Sequence, residues 1–280
     1  MADRIFFSDL PVPRSPHFPS LITPILELAR KYGIDRMYAQ IVRNLERDWP
    51  QTLKDWDALE REVSFIKNDL GVDRIDDHLP EPASVIQLAR QFDIPGVLPS
   101  AFYHLSRLSV LDDWDKIHAD PSLQIRNPTQ RTARWGLLSA EELHCLLLGK
   151  AELADFLCGC INTKDFQHVT SIVSRREVWC EVAEGLWKDI LDRCLQSADP
   201  LALLKAPVDG EKAQRCHICA NALRAKMLVV RAQVWEKLED LFHLKVNLVG
   251  KTTEGGVMCY FIRQLIHSKC LYFTGCSGRF

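Results

Sequence analysis

The chain has 280 residues, 47% of them hydrophobic and 26% charged, which is enough apolar material for a core and excludes a wholly disordered chain. Its formal net charge of −2 supplies no global field for a polyphosphate backbone and argues against nucleic-acid binding by net charge. The N-terminus carries charge at once, and Val257 to Ile266 is broken by Arg263 and too short to span a bilayer as a helix. The sequence therefore reads as a soluble cytoplasmic or nuclear protein whose ten cysteines are reduced.

Residues 1–20, with Pro11, Pro13, Pro16 and Pro19, read as an extended arm. Thr23-Pro24 then reads as an N-cap followed by proline at the first helical position, with Ile25, Leu28, Ala29 and Tyr32 on one stripe and Gly33 as the stop. Asp35 is placed to cap a partner helix carrying Met37, Ile41 and Leu45, which Trp49-Pro50 ends. From Gln51 to Pro82 the pattern weakens into a partly ordered connector, although Leu59, Val63, Ile66 and Leu70 could line one helix. Val85 to Ile94 then aligns position by position with Ile25 to Ile34, an internal repeat at a 60-residue offset that reads Leu-Ala-Arg at 28–30 and again at 88–90. Leu98, Ala101, Phe102 and Leu105 belong to the second copy's own partner helix, with Pro95 at its start.

Residues 111–137, polar and holding Pro121 and Pro128, read as a linker between this first lobe (21–110) and a second (138–244). Ser139-Ala140-Glu141-Glu142 is a capping box opening a helix through Leu143, Leu146 and Leu147. Val178, Val182, Leu186, Ile190 and Cys194 share a face of a long helix, and Asp199-Pro200 starts another. The last helix, from about Ala213 to His243, buries Leu223, Met227, Val230, Val234, Leu238 and Leu241. Residues 245–280, rich in glycine and without a period, read as an irregular tail. The expected fold is all-α, with two helical lobes.

Several of these segments carry a resemblance. They are Ile25 to Ile34, Trp49-Pro50 with Leu53 to Trp56, Leu88 to Tyr103, Ala133-Arg134-Trp135 with Leu138 to Glu142, Leu148-Gly149-Lys150, Cys216 to Cys219, and Val234 to Phe242. Their order and spacing over residues 21–244 resemble the helical, BACK-like region that follows the BTB/POZ fold in BTB domain proteins of mushroom-forming fungi. The resemblance implies a non-catalytic scaffold or adaptor that binds another protein, in ubiquitin-ligase assembly or transcriptional regulation. The twenty or so residues before Leu21 are too few to encode the BTB fold itself, so dimerisation through that fold is not carried over. The tail after Leu244 also departs from the family pattern.

The sharpest chemical pattern is Cys216-x-x-Cys219, a spacing at which two thiolates can chelate one zinc ion, with Cys158-x-Cys160 able to supply two more ligands. The bland reading, that Cys219 continues an apolar row and the thiols are packed, is preferred, so no cofactor is expected. A zinc-stabilised helical module with a structural or nucleic-acid-binding role is the alternative. His144-Cys145 and Cys216-His217 are neighbours in sequence, which on a helix directs their side chains apart, so neither reads as a catalytic dyad. Asp76-Asp77 and Asp112-Asp113 read as solvated turns. Arg126, Arg131 and Arg134 with Trp135 could contact phosphate and stack a base, but read better as a solvated loop with one anchoring tryptophan. No catalytic residue is expected.

Overall fold

A computed structural model describes residues 14–69, 75–120, 122, 131–160, 181–208 and 217–245. Its helices are α1 (Phe18–Lys31), α2 (Asp35–Asp48), α3 (Leu53–Asp69), α4 (Pro82–Phe92), α5 (Leu98–Ser106), α6 (Trp114–Ala119), α7 (Ala140–Gly159), α8 (Glu181–Gln196), α9 (Pro200–Lys205) and α10 (His217–Leu241). Short 3₁₀ turns lie at Ile75–His78, Pro95–Val97 and Trp135–Leu137. The fold is all-α: among the described residues no strand forms, and β pairing is limited to one isolated parallel bridge between Asp113 and Ala133.

The repeat is a repeat of geometry. In each copy an isoleucine amide reaches back to an alanine carbonyl, Ile34 to Ala29 at 2.8 Å and Ile94 to Ala89 at 2.9 Å. The intervening residue is left-handed in both, Gly33 at φ 63° and Asp93 at φ 56°. This satisfies carbonyls that a helix end leaves open, and it swings the chain directly into the partner helix. Two hairpins result, α1–α2 and α4 with the 95–97 turn and α5. They meet where Tyr38 donates its hydroxyl to the Phe92 carbonyl at 2.6 Å and Gln91 donates to Glu27 at 3.2 Å.

Four expectations need correction. Helix α1 does not begin at Thr23-Pro24; it begins at Phe18, takes Pro19 in its first turn and carries Pro24 in its interior. Phe18 and Ile22 bury fully on the row continued by Leu26 and Ala29, and that burial outweighs the hydrogen bond Pro24 forgoes. The supposed connector after Gln51 is helical from Leu53, and Trp56 is 1% exposed at the centre of the core. Residues 111–137 are not a plain linker: Trp114 and Ala133 are buried, and Trp114 donates its amide to the Ala133 carbonyl at 3.0 Å. Finally, the two sets of helices do not form separate lobes. Ile22, Ile41, Trp56, Ile86 and Phe102 share one apolar cluster with Leu157, Trp187, Leu204, Met227 and Phe242, and α5 packs against both α7 and α10. Every described residue lies in the single compact unit Met1–Lys245.

The capping box forms as expected: Ser139 Oγ accepts the Glu142 amide at 3.2 Å and Glu142 accepts the Ser139 amide at 2.7 Å. Helix α7 runs on past Gly149 to Gly159. Gly149 is required there because a Cβ would sit 1.9 Å from Cδ1 of Phe242, a fully buried ring that packs 5.8 Å from Phe102. All six residues expected on the buried row of α10 are buried. Residues 1–13 of the expected arm and 246–280 of the tail lie outside the described residues.

Candidate functional site

Two surfaces merit attention, a charged junction inside the fold and an open face on α1. The junction joins α3, α5, α9 and α10. Arg107, just past α5, donates to Asp199 Oδ2 at 2.5 Å, to Glu60 Oε1 at 2.8 Å and to His104 Nδ1 at 2.8 Å, while its guanidinium lies 4.8 Å from the Trp56 ring centre. Tyr103 donates its hydroxyl to Asp199 Oδ1 at 2.8 Å and accepts the Leu201 amide at 3.0 Å. Asp199 thus serves twice, since Oδ1 also caps α9 by accepting the Ala202 amide at 3.1 Å. Nearby, Arg231 grips both oxygens of Asp57 at 2.5 and 3.0 Å and donates its Nε–H to the Leu201 carbonyl at 2.8 Å, with Lys205 at 3.0 Å from the same carboxylate.

Environment sets the protonation of these groups. Burial pushes the Tyr103 hydroxyl well up, and the Asp199 charge adds to it, so Tyr103 is a fixed donor. Burial alone would lower Arg107, but Asp199 and Glu60 more than offset it and hold the guanidinium charged. Burial likewise pushes Asp57 up, and hydrogen bonds from Arg231 and Lys205 overcome it and leave the carboxyl below its ordinary range.

An open cleft of about 390 Å³ borders the junction, lined in part by Glu60, His104, Arg107, Arg131 and Asp199. Its arginines are already committed, Arg107 as above and Arg131 to Asp76 at 2.8 Å and the Pro80 carbonyl at 2.9 Å. The chemistry of this arrangement is that of a clamp, in which paired charges hold helices in register.

The phosphate-contact candidates fare accordingly. Arg131 is half-buried and paired with Asp76, and Arg134 lies 3.4 Å from Asp115 with its guanidinium over the Trp114 ring. Trp135 anchors its loop by donating to the Asp112 carbonyl at 3.2 Å, as expected of one anchoring tryptophan. Arg126 lies outside the described residues. Asp76 is no solvated turn: it is 1% exposed, accepts from Thr132 at 2.5 Å and Arg131, and burial still pushes its carboxyl up. Asp113 caps α6 by accepting the Lys116 amide at 3.0 Å. These roles were missed because each depends on a partner some fifty residues away or on a short helix without periodicity.

Cys158 is exposed and Cys160 half-buried in the last turn of α7 and its cap, and the Cys160 carbonyl accepts from Trp187 at 3.0 Å. Cys216 and the Cys219 side chain lie outside the described residues, so the four sulfurs are not seen together. Among the described residues no group of three or more metal-ligating side chains converges. Cys145 is buried, its thiol pushed up by burial, while His144 is exposed on the other side of α7. Cys194, also buried, has its thiol pushed up to about 11.

The open face is on α1. Its buried row, Phe18, Ile22, Leu26 and Ala29, faces the core, and Leu21, Leu28 and Tyr32 lie on another side, exposed. Position for position, Leu28, Tyr32 and Ile34 are 51, 66 and 44% exposed, whereas Leu88, Phe92 and Ile94 are 2, 5 and 3% exposed. The two copies share their turn geometry and differ in what covers them. Models of known protein families, curated proteins and solved structures were each searched with this chain, and none of the three comparisons gives a match.

Proposed function

We propose that this chain is a non-catalytic protein-interaction scaffold, acting in the cytoplasm or nucleus and binding a protein partner through the open face of α1. The observation that supports this reading is the exposed apolar set Leu21, Leu28, Tyr32 and Ile34, of which the last three have repeat equivalents, Leu88, Phe92 and Ile94, in the core. Exposed apolar side chains clustered on a helix and the turn that follows it mark a contact surface, and aromatic anchors carry much of the energy of such contacts. The resemblance to BTB-associated helical regions adds the expectation of an adaptor in ubiquitin-ligase assembly or transcriptional regulation. Affinity capture from the native cell tests the reading. A recurrent partner is expected with the wild-type chain and lost with Leu28→Glu and Tyr32→Glu, and capture that ignores both substitutions refutes it.

A second reading rests on the accessible pair Cys158 and Cys160 at the end of α7: with Cys216 and Cys219 they would hold a structural zinc ion. Elemental analysis of purified chain tests this, since stoichiometric zinc lost on Cys216→Ser supports it and metal-free protein refutes it.

A further inference from the structure

Ala198 lines two clefts. One is the charged cleft beside the clamp, where Arg107 and Arg131 are spent on carboxylates. The other, of about 320 Å³, lies among α7, the end of α8 and the start of α9 and takes no part in the clamp. Its wall on α7 is one stripe of the helix, since Lys150, Leu153, Ala154 and Leu157 stand at i, i+3, i+4 and i+7. Leu153, Leu157, Cys194 and Pro200 are buried and give it an apolar floor. Ala154, Ala198 and Ser106 are too small to fill the space, which is why a concavity is left where three helices meet.

Two polar groups stand out in this apolar setting. Lys150 is the one charged side chain in the lining; it is exposed, and among the described residues it makes no ion pair and no side-chain hydrogen bond. Ser197 Oγ accepts the Asp199 amide at 3.0 Å, which uses a lone pair and leaves the hydroxyl proton available to donate. A lone cation and a hydroxyl donor beside an apolar floor match a monoanion with a hydrocarbon body. Small-molecule sites have this form, concave and apolar with a few polar groups that fix orientation.

We infer that this cleft binds a small aliphatic carboxylate, its chain on Leu153, Leu157, Cys194 and Pro200 and its carboxylate at Lys150 and the Ser197 hydroxyl. At about 30 Å³ per group of water or methylene size, the cavity holds roughly ten such groups, which sets a ligand of about eight to ten carbons. An alkylamine would meet the Lys150 charge, and a dianionic phosphate would leave one charge unmatched. Burial pushes the Cys194 thiol up to about 11, so it stays protonated and serves as wall rather than nucleophile, and binding is non-covalent. The inference goes beyond the scaffold reading and does not depend on the α1 face.

Calorimetric titration of the full chain with hexanoate, octanoate, decanoate and dodecanoate is the direct test. One site per chain is expected, with affinity rising about two- to fourfold per added methylene up to about ten carbons and little beyond. Lys150→Gln should weaken octanoate binding about two- to fivefold, as loss of an exposed ion pair does, while Lys188→Gln, which removes an exposed charge on α8 outside the lining, should leave it unchanged. Filling the half-exposed position 154 should weaken binding at least fivefold as Ala154→Leu and abolish it as Ala154→Trp, with unchanged helical circular dichroism. Absence of binding at millimolar ligand, several equivalent sites per chain, or an affinity untouched by Lys150→Gln or by Ala154→Leu overturns the inference. Octan-1-ol binding as tightly as octanoate overturns the carboxylate assignment. None of these outcomes bears on partner capture by Leu28 and Tyr32, so the scaffold reading stands or falls separately.

Discussion

Substituting Gly149 by alanine sets two opposing effects against each other at one atom. In a helix interior alanine is favoured over glycine by about 1 kcal/mol, and Gly149 lies well inside α7. Against that, the new Cβ would stand 1.9, 2.4 and 2.7 Å from three carbons of the Phe242 ring. The ring is fully buried and packed on Phe102, so it cannot swing into solvent, and overpacking of a core costs about 1–3 kcal/mol or more. The expected sum is a loss of about 1–2 kcal/mol, read as a fall in Tm of about 2–8 °C. The deciding assay is a thermal double-mutant cycle with Phe242→Leu, in which Gly149→Ala should become neutral or stabilising once the ring is gone. A Gly149→Ala variant that melts higher than wild type, or one whose cost is the same with and without the ring, refutes the packing argument.

Arg231→Ala should cost about 3 kcal/mol in urea unfolding, because it strands the Asp57 carboxylate beside Lys205 and opens a 5%-exposed site. Asp57 and Asp48 should respond to pH with opposite sign. The Asp57 carboxyl is held below its ordinary range, so its contribution is present at neutral pH and lost as pH falls through that lowered value; Asp57→Asn should flatten the acid limb of a stability–pH curve. Burial pushes Asp48 up despite the Arg14 amide it accepts, so the fold loses stability as pH rises from the ordinary carboxylate range through that raised value. Asp48→Asn should therefore stabilise at neutral pH and do little in acid, and an equal effect at both ends would contradict the assignment. Asp93→Gly should raise Tm by relieving the left-handed φ of 56° by about 1 kcal/mol, while Gly33→Ala at φ 63° should lower it by a similar amount.

What could be read from the sequence was whatever is encoded locally. The repeat, the Ser139 capping box, the Asp199 cap and the six-residue row of α10 all rest on spacings within a few turns. The start of α1 was misplaced because Thr23-Pro24 is a genuine start signal; only the distant partners of Phe18 and Ile22 show that the helix begins earlier. The burial of Trp56 is not legible because α3 is charged around it, and that burial depends on Tyr103, Arg107 and Trp235. The clamp itself was invisible, since Arg107 meets Asp199 across 92 residues and Arg131 meets Asp76 across 55. The α1 face was hidden for a related reason: identical patterns at 25–34 and 85–94 predict identical burial, and burial differs because a neighbour covers one copy and not the other.

The bond between Asp57 and Arg231 spans 174 residues, and it bears on how the chain is made. At a translation rate of about 5–20 residues per second, roughly 10–35 s separate the synthesis of the two partners. Through that interval Trp56 has neither the Trp235 ring that later packs 5.5 Å from it nor the closed clamp beside it. The nascent N-terminal hairpins must then wait with Trp56 covered only by Tyr103, His104 and Arg107 on its own side, and the last long helix acts as the clasp that completes its burial. Truncation before α10 should accordingly yield a chain that associates with chaperones rather than a smaller folded domain, because the core is closed from its C-terminal end.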